Sequence, residues 1–177
     1  HFDEKLNWSV QVEIILKRLR QSKYIMRKCS HLNSKTKYML YMSHVQSHLL
    51  YGIIAWGSML NATQRQKIRN MINSIIKIAK ISDQEKKKII SLDGLITLNE
   101  QIYIYKIHKK LLPKSLVKQY YTNNMFHEYN TRLGNNIVIQ EHNSIFYKSI
   151  IEWNRLDENI RNIPKLGLFK KKNKKFD

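Results

Sequence analysis

Several residue types are scarce in this 177-residue chain, and each shortage removes a class of fold or chemistry. A single cysteine, Cys29, excludes an internal disulfide framework and a multi-cysteine zinc site. Five glycines and two prolines are too few for the turns of sandwiches, barrels or glycine-rich α/β folds. No stretch approaches the roughly 18 uninterrupted apolar residues of a membrane span, and the first residues lack the apolar core of a signal peptide. The expectation is an intracellular protein, nuclear or cytoplasmic, without a membrane span. The chain opens on His1 rather than Met, which reads as a cut fragment or a processed product.

Acidic residues are scarce as well. Asp and Glu number 13 against 32 Lys and Arg, a formal net charge of +19. Such a chain repels itself unless polyanions neutralise it, and nucleic acid is the commonest such partner. An anionic membrane surface would serve the same end through amphipathic basic helices. Lys, Ile, Asn and Tyr are all abundant and all share A/T-rich codons, so nucleotide bias is a competing source of the lysine excess. Apolar residues make up 42%, enough for a folded core in one ordinary domain or one domain plus a tail.

The apolar spacing is helical throughout. Val12, Ile15, Leu16, Leu19 and Met26 form one stripe over 9–29, with Ser9 as the N-cap. Lys17, Arg20, Arg27 and Lys28 fall away from that stripe and make the helix amphipathic and basic. Ser34 is placed to cap a second helix whose buried face is Tyr38, Tyr41, Met42, Val45 and Leu49. Gly52 is placed for close backbone approach and Gly57 as a stop after Trp56. A third helix over 63–79 carries Ile68, Met71, Ile72, Ile75, Ile76 and Ala79, with Arg65, Arg69, Lys77 and Lys80 largely outside the stripe. Ser82 with Glu85, and Thr97 with Glu100, read as capping boxes for two further helices. Pro113 closes the longer of these and opens a short helix over 114–121. Residues 122–143 lack a helical period and read as a loop with an extended piece at 137–139. Helical spacing resumes at Phe146, Ile150 and Trp153. The expected fold is all-α: two small helical lobes, 1–81 and 82–164, an irregular polar loop, and a basic tail, 165–177, that frays.

Leu6-Asn7-Trp8, a basic helix, Leu50-Tyr51-Gly52 and Trp56-Gly57 follow one another in an order that resembles the region downstream of the palm in non-LTR retrotransposon reverse transcriptases of the jockey-like and LINE type. In the second lobe His127, Tyr129, Asn130, Thr131 and Arg132 resemble that family's H-x-Y-N-T-R segment. Ser144, Tyr147 and Trp153-Asn154 are similar to its S-x-x-Y…W-N pattern, and Phe169-Lys170 to its closing F-K pair. The family usually has Leu-Pro after W-N-x, where Leu156-Asp157 stands here. The resemblance covers nearly the whole chain. It implies an RNA-directed DNA polymerase whose palm aspartates hold Mg²⁺ and lie N-terminal of His1. The chain itself has no Asp-Asp pair. What remains is the thumb and post-thumb region, expected to grip RNA and DNA as a template–primer duplex beside the absent palm and fingers. The chain then holds no catalytic residue and no cofactor of its own. The rival expectation is a decayed or domesticated remnant, working as a basic structural or protein-interaction module.

Candidate nucleic-acid contacts are therefore Lys17, Arg20, Arg27, Lys28, Arg65, Arg69 and Arg132. Arg132 could hold a phosphate bidentately with Thr131 and Asn130 beside it, or the same side chains could staple the loop; the sequence leaves both open. Tyr51, Gly52, Trp56 and Trp153 are expected to be structural, with Trp56 a core anchor in preference to a base-stacking platform. His44 and His48 lie one helical turn apart, but two further zinc ligands are not in evidence, so no metal site is expected. Cys29 reads as a small hydrophobe. No nucleophile motif is present.

Overall fold

Asparagine side chains start two of the main helices. Asn33 Oδ1 accepts from the Thr36 amide at 2.9 Å, and Asn61 forms a reciprocal capping box with Gln64, at 2.8 and 3.1 Å. The computed structural model describes residues 8–117, 120, 122, 136–138 and 147–173. Among them the fold is all-α, its only extended pairing an isolated antiparallel bridge between Thr122 and Ile137. The chain divides into two compact units between Ile96 and Thr97.

In the first unit, α1 (Ser9–Lys28) packs along α5 (Ala62–Ala79). Val12, Ile15, Leu19 and Met26 from one, and Ile68, Ile75 and Ala79 from the other, are almost fully buried. Between them come α2 (Ser34–Tyr41), a π-helical turn (Met42–Gln46), α3 (Ser47–Leu50) and α4 (Ile53–Trp56). The π turn interrupts what the spacing predicts as one α-helix. It still buries Tyr41, Val45 and Leu49, and the His44 carbonyl accepts the Ser22 hydroxyl at 2.8 Å.

Capping differs from expectation at four places. Ser9 is the first helical residue and Trp8 occupies the cap position, at φ +58°. Asn33 caps α2, while Ser34 reaches across to Ser82, accepting its amide and donating to its hydroxyl at 2.9 Å. Ser82 therefore makes no side-chain cap to α6 (Asp83–Lys86), and Glu85 pairs with Lys88 at 2.9 Å. Thr97 and Glu100 open no helix, because α7 (Leu92–His108) begins five residues earlier, where Ser91 Oγ accepts from the Gly94 amide at 3.1 Å.

The lobe boundary expected at 81/82 moves accordingly to 96/97. Residues 82–96 belong with the first unit because Ile89, Ile90, Leu92, Leu95 and Ile96 are buried and Ser82 and Asp93 bond back to it. Gly57, not Gly52, is the close-approach glycine. A Cβ there would sit 2.6 Å from the Ile53 carbonyl oxygen and 2.8 Å from Ile96 Cγ1. Gly52 instead supplies a left-handed φ of +64° at the start of α4.

The second unit takes the rest of α7, then α8 (Lys114–Val117), α9 (Tyr147–Asn154), α10 (Glu158–Arg161) and α11 (Leu166–Lys172). Its centre is aromatic. Tyr105 stacks on Phe169 at 4.5 Å between ring centroids, and Trp153 meets Phe169 at 5.8 Å and His108 at 5.7 Å. Burial, then Lys109 and Arg161, hold the His108 pKa below its ordinary value. The Tyr105 hydroxyl donates to the carbonyls of Ile163 and Pro164, at 2.8 and 3.0 Å. The segment expected to fray as a basic tail is thus helical over Leu166–Lys172 and anchored by a fully buried Phe169. Asn154 gives the W-N pair a physical role: its amide group bonds both the N–H and the carbonyl of Ile137, each at 3.0 Å.

Candidate functional site

Helix α1 turns one face to its core and another to solvent. At 100° per residue, Lys17, Arg20, Arg27 and Lys28 lie within about a quarter-turn of each other, on the flank beside the buried stripe. All four are exposed. Tyr24 lies in the middle of this row and is 61% exposed, with the Lys28 ammonium 5.7 Å from its ring centroid. An exposed aromatic flanked by cations on a rigid helix presents both a flat stacking surface and phosphate-binding charge.

The row borders a groove of about 390 Å³ between α1 and α5. Arg20, Lys23 and Leu16 form one wall, and Lys67, Asn70 and Ser74 the other. Among the described residues Glu13 is its single acidic lining residue. Lys67 is three residues into the exposed flank of α5 from Gln64, so the capping box at Asn61 also fixes where this cation emerges. Lys23 and Lys67 were not among the expected contacts, nor was Tyr24. The signal for Lys23 and Tyr24 is in the sequence: positions 17, 20, 24, 27 and 28 share one helical face, and 23 adjoins it. Lys67 becomes part of the site only through the packing of α5 on α1.

Arg65 and Arg69 both pair with Asp93. Arg65 Nη1 donates to Asp93 Oδ1 at 2.5 Å and Arg69 Nε to Asp93 Oδ2 at 2.9 Å, with a second Arg69 bond from Nη2 to the same oxygen. Arg65 Nη2 also reaches the Gly57 carbonyl at 3.3 Å. Burial alone would raise the Asp93 pKa, but the hydrogen bonds and charges of the two guanidinium groups outweigh it and hold it below the ordinary carboxylate value. Much of the donor capacity of both arginines is committed inside the unit.

Trp56 is buried, and its Nε1 donates to the Tyr51 carbonyl at 2.9 Å, the core anchor expected of it. The Tyr51 ring is 74% exposed, so its contribution to packing comes through the backbone. Trp153 lies at the centre of the second unit. Tyr129, Asn130, Thr131 and Arg132 lie outside the described residues. His44 and His48 are separated by the end of the π turn, and burial, then Arg18 and His44, lower the His48 pKa. A neighbouring guanidinium disfavours a metal cation there. Among the described residues no cluster of three or more His, Cys, Asp or Glu could hold a metal, and no helix is long and apolar enough to cross a membrane. Compared with protein-family models, curated proteins and solved structures, the chain matches none.

Proposed function

We propose that the chain is a nucleic-acid-binding, non-catalytic portion of a non-LTR retrotransposon reverse transcriptase, corresponding to its thumb and post-thumb region. The observation that carries the binding half of this reading is the cationic face of α1, with exposed Tyr24 at its centre and the Arg20–Lys23–Lys67 groove alongside. Lysine and arginine on helices displace counterions from a phosphate backbone without reading bases, and an exposed tyrosine adds a stacking surface for an unpaired base. The enzyme context rests on the sequence resemblance. In that context Mg²⁺ belongs to palm carboxylates outside this chain, and the residues here bind and orient template and primer in the nucleus or cytoplasm.

Fluorescence anisotropy on two unrelated RNA–DNA duplexes tests the binding half. Affinity should fall by about 10³-fold or more between roughly 50 and 200 mM salt, equally for both sequences. Salt-insensitive binding, or strong preference for one sequence, contradicts it. A second reading, a basic protein-interaction module, draws support from a different observation, the aliphatic pocket on the other flank of α5.

A further inference from the structure

Helix α5 has a groove on each side of its buried stripe. Lys67, Asn70, Met71 and Ser74 face the α1 side, whereas Arg69, Ile72, Asn73 and Ile76 point to the opposite flank. There a pocket of about 340 Å³ opens between α5 and residues 86–92. Ile72 and Ile76 line it from α5 and Ile89 and Ile90 from the other side, an aliphatic slot with Asn73 and Ser91 also in its lining. Its ends are cationic. Arg69 stands at one; Asp93 takes its Nε and Nη2 donors, and Nη1 has no hydrogen-bond partner among the described residues. Lys86 stands at the other, where the pocket continues into a second recess lined by Lys77 and Lys80. Among the described residues no carboxylate lines either recess.

Positive charge alone would suit a phosphate backbone. The aliphatic middle does not, because bases stack on aromatic faces and phosphates gain nothing from isoleucine. An aliphatic side chain held between two carboxylates uses both parts: the apolar group fills the isoleucine slot and the acids meet the cations. Arg69 and Lys80 are separated by about 16 Å along the helix axis, and acids two residues either side of a central residue in an extended peptide span about 13 Å, a difference of about 3 Å that the long arginine and lysine side chains can cover. We propose that this flank of α5 docks an acidic peptide segment of a partner protein. Its central aliphatic side chain enters between Ile72, Ile76, Ile89 and Ile90, and its flanking carboxylates rest on Arg69 and on Lys86 with Lys77 and Lys80. This site is separate from the α1 face and does not depend on the nucleic-acid reading.

The test uses the whole chain and fluorescein-labelled peptides with the core Glu-Ser-Leu-Ser-Glu, measured by anisotropy. Replacing the peptide's leucine by serine, or its two glutamates by glutamine, should each weaken binding about tenfold or more. Ile76 is half-exposed, so Ile76→Lys should leave the circular dichroism spectrum and melting temperature nearly intact. It adds positive charge while blocking the slot, so the site predicts about tenfold weaker binding where pure electrostatics predicts tighter binding. Lys86→Glu, at an exposed position, should weaken binding comparably and provides a second reading if Ile76→Lys perturbs the fold. Equal affinity for the leucine and serine peptides, or unchanged or tighter binding to Ile76→Lys, overturns the proposal. So does weakening of a single-stranded RNA oligonucleotide by Ile76→Lys to the same degree as the peptide, which would make this groove a nucleic-acid site. Loss of nucleic-acid binding in an Arg20, Lys23, Lys67 triple variant, with peptide binding retained, supports two separate surfaces.

Discussion

Tyr41 is completely buried, and its hydroxyl finds no hydrogen-bond partner among the described residues. Burial, reinforced by Tyr38, pushes its pKa far above the ordinary tyrosine value, so the group is a neutral, unpaired donor in an apolar setting. Removing it should relieve a desolvation cost. Tyr41→Phe is predicted to raise stability by about 1 kcal/mol in urea denaturation, and a loss of similar size would mean that the hydroxyl has a partner. Asp93 is the opposite case, a carboxylate held by two arginines. It is 37% exposed, so solvent screening limits its contribution to about 1 kcal/mol. Its folded pKa lies below the unfolded value of about 3.9, so that contribution is fully present above about pH 4 and is lost as the pH falls through the folded value. Asp93→Asn should therefore be less stable than the native chain at about pH 7 by a gap that narrows below about pH 4; a gap independent of pH would show that the carboxylate charge contributes nothing.

Helix identity was largely legible from the apolar period, and helix ends were not. The stripes of α1 and α5 appear in the sequence because each buries one continuous face against the other. The start of α7 has no clear mark in the sequence because Leu92–His108 serves two cores in succession: Leu92, Leu95 and Ile96 bury in the first unit and Ile104, Tyr105 and Ile107 in the second. Its apolar residues consequently point in several directions and give no single stripe. The π turn was invisible because one extra residue in a turn leaves no compositional mark. In the tail, lysines masked the single Phe169 that anchors α11. Of the candidate site, the cations of α1 were readable as one face, whereas the pairing of Arg65 and Arg69 with Asp93 requires α7 to return to α5, which no local pattern encodes. The α1 face makes its own prediction about how its parts divide the work. Tyr24→Ala should lower affinity for a single-stranded oligonucleotide by about 1–3 kcal/mol while leaving the salt dependence unchanged, because stacking releases no counterions. A change in the salt slope without a loss of affinity would reverse that assignment.

The net charge of +19 is a property of the whole molecule, and it guarantees some attraction to any polyanion. Phosphates are expected to follow the α1–α5 groove in particular. Charge and location are separated by two variants with equal loss of charge: Arg20, Lys23 and Lys67 all changed to Ala in one, and Lys170, Lys171 and Lys172 in the other. All but Lys23 are exposed and Lys23 is half-exposed, so both variants should keep the fold. The measurement is the slope of log affinity against log salt on one RNA–DNA duplex. The groove variant is predicted to lower that slope by about two to three units, about one per lost phosphate contact, and the α11 variant by less than one. Equal slopes in the two variants, or a native slope in the groove variant, would contradict the account.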